Sequence, residues 1–522
     1  MKTFKRFSAI LLAVLLMVAM MAVPASAAGE YSITINNSNP DHTYEAYQIF
    51  TGDLSAGGVL SNVVWGEGLT DGGKSALGSN ASAVASGLTT DNAPAFAESL
   101  LPYLANPSGS ADTLENVTVL DQTVTGYKIS GLKAGYYLIR DKVGTLSGKD
   151  EAHTTLILKV VDNITIAPKA SKATVTKKVS DPANFTNEVD TGWADSTDGK
   201  TGDEAQFILT ATMPNDYTTF KHYHLTFHDK MASGFKTPSS VVVKVDGTVI
   251  NASEYTLDTN PSSCSENCSF HVQFADLKNI QGATVGNNSK ITVEYSAELL
   301  PNMTVGQAGN DNSVKLEYSN DPYFDPAGNV NETSGMTLAD AVTVFTYKLE
   351  IYKRDHSSNP LPGAKFKVEK YDKADDVWGW VDLTPQIQES NGGTTFTITG
   401  IDEGLFRVTE TTTPSGFNTI TPFYFRVDAD YNVLSDDPSL NTLYIDQCAA
   451  DGSALSANDR NPLVATQSDV SNGLVQIRVA NRGGSQLPET GGIGTSIFYG
   501  IGGVLVIAAL ALLTVRKRST AK

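Results

Sequence analysis

The stretch Thr174-Val175-Thr176-Lys177-Lys178-Val179 decides how this chain is read. Side chains two apart on a strand share a face, so Val175, Lys177 and Val179 point one way and Thr174, Thr176 and Lys178 the other. The segment alternates as a half-buried strand does, and it puts a lysine on the apolar side. Short runs rich in Val, Ile, Thr, Tyr and Phe recur from about Tyr31 onward between Gly, Pro, Asn and Asp clusters. That is the pattern of β-sandwiches rather than of helical or βαβ units. The expected fold is mainly β: three tandem β-sandwich domains in an elongated chain, with a few short helices in the N-terminal domain. The helix expectation rests on residues 93–104, with Asp91 or Asn92 as the cap.

Other strands repeat the oddity of a polar group facing inward. In residues 223–229, Asp229 shares a face with Tyr223, Leu225 and Phe227, and in 312–318 Asn312 lies with Val314, Leu316 and Tyr318. Further on, Lys353 lies with Leu349 and Ile351, Glu410 with Phe406 and Val408, and Asn481 with Val475, Ile477 and Val479. A Lys, an acid and an Asn thus face a core twice. Burial lowers a lysine pKa and raises that of a carboxylic acid, by up to ~3–5 units when complete. A neutral amine is a nucleophile, and a protonated acid can donate to a carboxamide. Attack of Lys on Asn with loss of ammonia leaves an isopeptide bond. The competing reading is a buried ion pair beside a hydrogen-bonded Asn, which costs desolvation and contributes little stability. A bulge would exchange the faces of Lys177 and Lys178, so Lys178 stands as the second candidate.

The chain has 522 residues, which at ~150 per domain suggests three to four domains. With 38 Lys+Arg against 57 Asp+Glu the net charge is −19, a surface that repels phosphate backbones and excludes nucleic acid as a partner. Three cysteines cannot build a disulfide scaffold or a four-thiolate zinc site. Residues 1–27 have the form of a secretory signal: Lys2, Lys5 and Arg6, an apolar run over 9–23, then Ala25-Ser26-Ala27. At the other end Leu487-Pro488-Glu489-Thr490-Gly491 precedes the uncharged segment 492–515 and the basic Arg516, Lys517, Arg518 and Lys522. About 20 apolar residues cross a bilayer, and the basic tail should stay cytoplasmic, so 493–515 is expected to hold the chain transiently in the membrane. Residues 1–27 and 491–522 contain no acid, so the part between them is more acidic still. Boundaries are expected near residues 171 and 345, giving a signal peptide (1–27), three domains (28–171, 172–345, 346–484) and a terminal sorting segment (485–522).

The C-terminal element resembles the cell-wall sorting signal of Gram-positive surface proteins, which implies sortase cleavage between Thr490 and Gly491 and transfer of Thr490 to an amine. Residues 404–417 (GLFRVTETTTPSGF) resemble the E-box of Gram-positive pilins, and residues 361–366 (LPGAKF) resemble the start of the same B-type collagen-adhesin-like domain. The middle domain resembles the Ig-like pilin domain in which an Asp assists. The chain as a whole is similar to sortase-assembled backbone (major) pilins, or fimbrial subunits. That resemblance implies bonds Lys177–Asn312 and Lys353–Asn481, promoted by Asp229 and Glu410. It implies Lys169 as the acceptor lysine, after Ala167-Pro168 where the pilin motif has Tyr-Pro, with Lys172 the alternative. The expected function is a structural shaft subunit of a covalent pilus. It is not an enzyme, since each isopeptide forms once, and it needs no cofactor. Expected partners are pilus-specific and housekeeping sortases, copies of itself, minor pilins, peptidoglycan and, where the pilus adheres, a host surface ligand. The alternative is a monomeric wall-anchored adhesin or a base or tip pilin, which needs no acceptor lysine.

Several signals are set aside. His222, His224 and His228 have a zinc-like spacing but fall on the polar face of their strand, where solvation is expected and no metal. Asp428, Asp430 and Asn432 imitate a calcium loop, but Val433 replaces the required Gly and Ser439 the terminal Glu, so a hairpin turn is expected. Cys264 and Cys268 are expected to form a small disulfide outside the cell, which leaves Cys448 without a partner.

Overall fold

Alternating residues become strands from Tyr31 to Asn481 in this computed structural model, which describes residues 30–89, 91–119, 122–168, 171–180, 192–262, 264, 267–324, 333–374, 377–432, 438–484 and 493–519. The fold is mainly β, with pairs of facing sheets repeated along an elongated chain. Lys169 and the Leu487–Gly491 pentapeptide lie outside the described residues, as does the signal segment.

The first pair of sheets is built from strands between Tyr31 and Ile166. One sheet runs in the order Glu115–Val119, Gln122–Leu132, Tyr31–Ile35, Ile164–Ile166, and the other centres on Tyr44–Leu54 beside Gly135–Asp141. Three short helices pack here. Ala93–Leu100 matches the expected helix, shortened by a 3-10 turn over Leu101–Tyr103. Asn92 occupies its cap position but its side chain accepts from Thr89 N instead. Asp71–Leu77 and Ala81–Ser86 have no helical apolar stripe in the sequence; Thr70 accepts from Gly73 N and Asn80 from Ala83 N to start them.

The second pair encloses a core from Ala173 to Val344. Thr174–Ser180 lies between Trp193–Ala194 and Glu204–Thr212 in one sheet, which continues through Lys290–Glu298. The facing sheet runs Ser196–Asp198, Asp340–Phe345, Asn310–Ser319, Leu225–Met231, Phe270–Phe274, Thr256–Asp258. The third pair encloses a core from Phe345 to Val479. Its first strand, Tyr347–Asp355, runs parallel to its last, Leu474–Asn481, with Lys353 opposite Val479 and Asp355 opposite Asn481. The facing sheet carries Lys365–Ala374, Gly404–Thr412, Phe423–Tyr431 and Leu440–Cys448.

The units are joined by more than chain connections. Asn320 Nδ2 donates to Leu146 O at 3.0 Å and Gly148 N to Ser334 O at 2.7 Å across the first joint. At the second, Thr201 N donates to Gly400 O, Ser196 Oγ to Asn432 O and Glu403 N to Asp198 Oδ2, and Lys200 Nζ pairs with Asp372 at 3.1 Å. Gly306 and Gly473, both with positive φ, meet backbone to backbone there; a Cβ on Gly306 would lie 2.4 Å from Gly473 N.

Candidate functional site: two buried Lys–acid–Asn clusters

Strand alternation carries Lys177 into the middle core, where it is fully buried, while Lys178 turns outward and pairs with Asp195. No bulge exchanges the two, since each residue from Thr174 to Val179 pairs in register with Glu204–Thr212. Asp229 and Asn312 come from neighbouring strands of the facing sheet, so the lysine reaches across the sandwich to both. Lys177 Nζ donates to Asp229 Oδ2 and to Asn312 Oδ1. Burial pushes the Lys177 amine down to about 8, against the pull of Asp229, and pushes the Asp229 carboxyl up.

Tyr295 completes this cluster, and the sequence reading missed it. Its hydroxyl donates to Asp229 Oδ2 at 3.1 Å and accepts from Asn312 Nδ2 at 2.8 Å. The hydroxyl thus fixes the carboxamide with its oxygen toward the lysine. Phe207 and Tyr295 hold their ring centres 5.6 Å from Lys177 Nζ, forming an apolar wall. Asp340 Oδ2 accepts from Lys177 N at 2.5 Å and pins the strand at that residue.

The third unit assembles the same residue types differently. Lys353 and Asn481 sit on adjacent parallel strands of one sheet, and Glu410 faces them from the other. All three are buried. Asn481 Nδ2 donates to both Glu410 oxygens at 2.9 Å, and Ile420 N and Thr413 Oγ1 donate to Oε2 at 3.1 and 3.2 Å. Lys353 Nζ donates to the carbonyls of Arg354 (2.9 Å) and Val479 (3.4 Å) rather than to Asn481 or Glu410. Burial holds its amine down at about 8, partly offset by Glu410 and Asp355. Asn481 Oδ1 is buried with no hydrogen-bond partner among the described residues.

Either cluster can support one reaction. A neutral Lys amine attacks the Asn Cγ, the acid moves protons between the amine and the departing nitrogen, and ammonia leaves as the Lys–Asn amide forms.

The remaining candidates divide. Lys172, half-buried, pairs with Asp150 at 2.8 Å and donates to its carbonyl. Cys264 and Cys268 are joined as a disulfide, and Cys448 is buried, its thiol pushed up to about 11 by desolvation. Asp428 and Asp430 lie within the Phe423–Tyr431 strand, not in a turn, and Asp428 accepts from Arg426; Asn432 closes the hairpin by pairing with Ser439. The three histidines are half-buried rather than solvated: His222 packs on Phe324, His224 bonds Thr226, His228 contacts His271, and His224 and His228 both face Glu317 Oε2, at 4.0 and 3.1 Å. The last strand's chain continues to a helix, Ile493–Ser519. Among the described residues, no helix is long and apolar enough to cross a membrane.

Residues 347–437 match the prealbumin-like fold domain of the SpaA type, and residues 482–522 match the LPXTG cell wall anchor motif. The trypsin-resistant surface T6 protein of Streptococcus pyogenes serotype M6 is 24% identical over 415 residues, 68% of this chain and 70% of that protein. The solved T6 backbone pilin of that serotype, described as a modular three-domain structure, superposes with a TM-score of 0.50 at 19% identity, covering 88% of this chain and 100% of that one. The major pilin SpaD of Corynebacterium diphtheriae gives 0.47 at 15% identity, over 88% and 98% of the two chains. The anchor motif marks a surface protein attached to the cell wall. In fold this chain is similar to the solved T6 backbone pilin, and it carries the LPXTG cell wall anchor motif.

Proposed function

We propose that this chain is the shaft subunit of a covalent pilus, stiffened by two intramolecular Lys–Asn bonds. The observation that carries the reading is the fully buried Lys177 held between Asp229 and Asn312, an amine placed against the carboxamide that would acylate it. Lys353 and Asn481, with Glu410 as the promoting acid, form the second bond. Residues 28–171, 172–345 and 346–484 act as three domains, each of the last two closed by one such bond. A sortase cleaves after Thr490 and joins it to Lys169 of the next subunit. Lys172 is already engaged by Asp150, which favours Lys169 as the acceptor. The uncharged residues 493–515 and the basic residues after them hold the chain at the membrane until that cleavage. Sortases, further copies of this chain, minor pilins and peptidoglycan are its partners.

Lys169→Ala tests the polymer. In wall extracts run on a denaturing gel, the native chain should give a high-mass ladder and the variant a single anchored band. A ladder unchanged in the variant would remove Lys169 as acceptor. A native chain with no ladder would favour the monomeric adhesin or minor-pilin reading.

A further inference from the structure

Four metal-ligating side chains meet on the outer face of the middle unit, away from its isopeptide cluster. His228 and His271 are directly opposed on the paired strands Leu225–Met231 and Phe270–Phe274, and His228 Nδ1 lies 3.0 Å from His271 Nε2. Cys264 and Cys268, on the segment leading into Phe270–Phe274, each put Sγ 3.8 Å from the same His228 Nδ1. One ligand atom from each residue lies within 4.8 Å of all the others. Tetrahedral zinc with Zn–S of 2.3 Å and Zn–N near 2.0–2.1 Å needs ligand–ligand separations of roughly 3.4–3.8 Å. The two sulfurs lie at the upper end of that range from His228 Nδ1, the two ring nitrogens would have to part by a few tenths of an ångström, and the cysteines would have to be unjoined.

The surroundings suit a ligand as well. His228 Nε2 donates to Glu317 Oε2 at 3.1 Å, and Ser334 Oγ donates to Glu317 Oε1 at 2.7 Å. A carboxylate that takes the proton of one ring nitrogen fixes the tautomer and aims the other nitrogen's lone pair, the arrangement found behind metal-bound histidines. Here that lone pair is on Nδ1, facing the two sulfurs and His271. All four residues are partly exposed, so an ion has a path in from solvent.

We propose that His228, His271, Cys264 and Cys268 form a binding site for a zinc-class divalent cation, open when the two cysteines are thiols and shut when they are joined. Opening consumes an external thiol reductant: exchange passes two electrons to the Cys264–Cys268 bond, both sulfurs become thiols, and the reductant departs as its own disulfide. Zinc then displaces both thiol protons to solvent and is held by two thiolates and two neutral imidazoles, a site of zero net charge. Reoxidation by a disulfide reverses the exchange and releases the ion. This inference is independent of the pilus reading.

The test is metal content of the intact protein, reduced with a small thiol, desalted without air, and loaded with Zn2+ or Co2+ alone. One zinc per chain, tetrahedral cobalt absorption with thiolate charge transfer, and loss of the ion on reoxidation are expected. Glu317→Gln, which leaves all four ligands in place, should weaken zinc binding by ~10–100-fold. Zinc uptake by the reduced native chain no greater than by the Cys264→Ser, Cys268→Ser double variant would overturn the site. So would equal uptake by the oxidised and reduced chains, or uptake unaffected by His228→Ala with His271→Ala. The native-chain measurements decide without any variant needing to fold.

Discussion

At the scale of single residues, the two clusters differ in what orients the carboxamide. Tyr295 does this for Asn312, whereas Glu410 itself grips Asn481. Tyr295→Phe leaves the Asn312 amide with an unpaired buried N–H, a cost of about 1–3 kcal/mol. It should slow ammonia loss in the middle unit without touching the third, as a time course of intact mass after folding would read; equal rates in native and variant chains would deny Tyr295 its role. Asp229→Asn and Glu410→Gln should each leave their own unit one ammonia heavier. The buried lysines, the acids and the asparagines were legible because strand alternation assigns faces from sequence alone. Tyr295 was not legible: it alternates with Ile291, Val293 and Ala297 as any core aromatic would. Nothing local distinguishes a tyrosine whose hydroxyl finds a distant Asp from one that simply fills space.

At the scale of elements, cross-strand pairing decides what alternation cannot. His228 reads as a polar-face residue, and its true neighbours, His271 and Glu317, sit on the two strands that flank it. Of the spaced trio His222, His224 and His228, His228 alone lies within the strand, which starts at Leu225. The short helices Asp71–Leu77 and Ala81–Ser86 were hidden for a related reason: they are too short to show a stripe and are held by packing and by caps. The strand Tyr44–Leu54 has its own fastening in the N-terminal unit. His42, just ahead of it, is buried with Nδ1 2.8 Å from Asp141 Oδ1 and Nε2 3.5 Å from Glu151. Burial opposes its charge, but the two carboxylates prevail and push it up to about 9. A group raised on folding stabilises fully below its unfolded value of ~6.5 and loses that contribution as pH rises through the folded one. The N-terminal unit should therefore weaken between about pH 6.5 and 9, and His42→Gln should flatten that dependence in thermal melts. A melt that strengthens over this range would contradict the assignment.

At the scale of the molecule, the bonds proposed here fix how force passes along the chain. The third unit begins and ends on adjacent parallel strands, so a Lys353–Asn481 bond joins its entry to its exit. In the middle unit Lys177 and Asn312 are 135 residues apart and lie in opposite sheets, so that bond clamps the sandwich through its core. If chain entropy acts as it does for disulfides, a loop of this length contributes on the order of 5 kcal/mol. Asp229→Asn should then lower the melting temperature of the middle unit, and a melt identical to that of the native chain would remove the bond from the stability account. The joints matter as well. Gly306→Val would drive a branched side chain into Gly473 and should loosen the middle–third joint, seen as a larger spread of interdomain distances in solution scattering. The mainly β architecture and the anchor motif could both be read from the sequence; the joints could not, because they rest on backbone groups and on polar side chains far apart in the chain.

The most direct test of the central claim is the intact mass of the folded, processed chain, residues 28–490, under denaturing conditions. Two ammonia losses from the sequence mass, with the Cys264–Cys268 pairing allowed for, are the predicted result. A mass equal to that of the uncrosslinked chain would contradict both bonds.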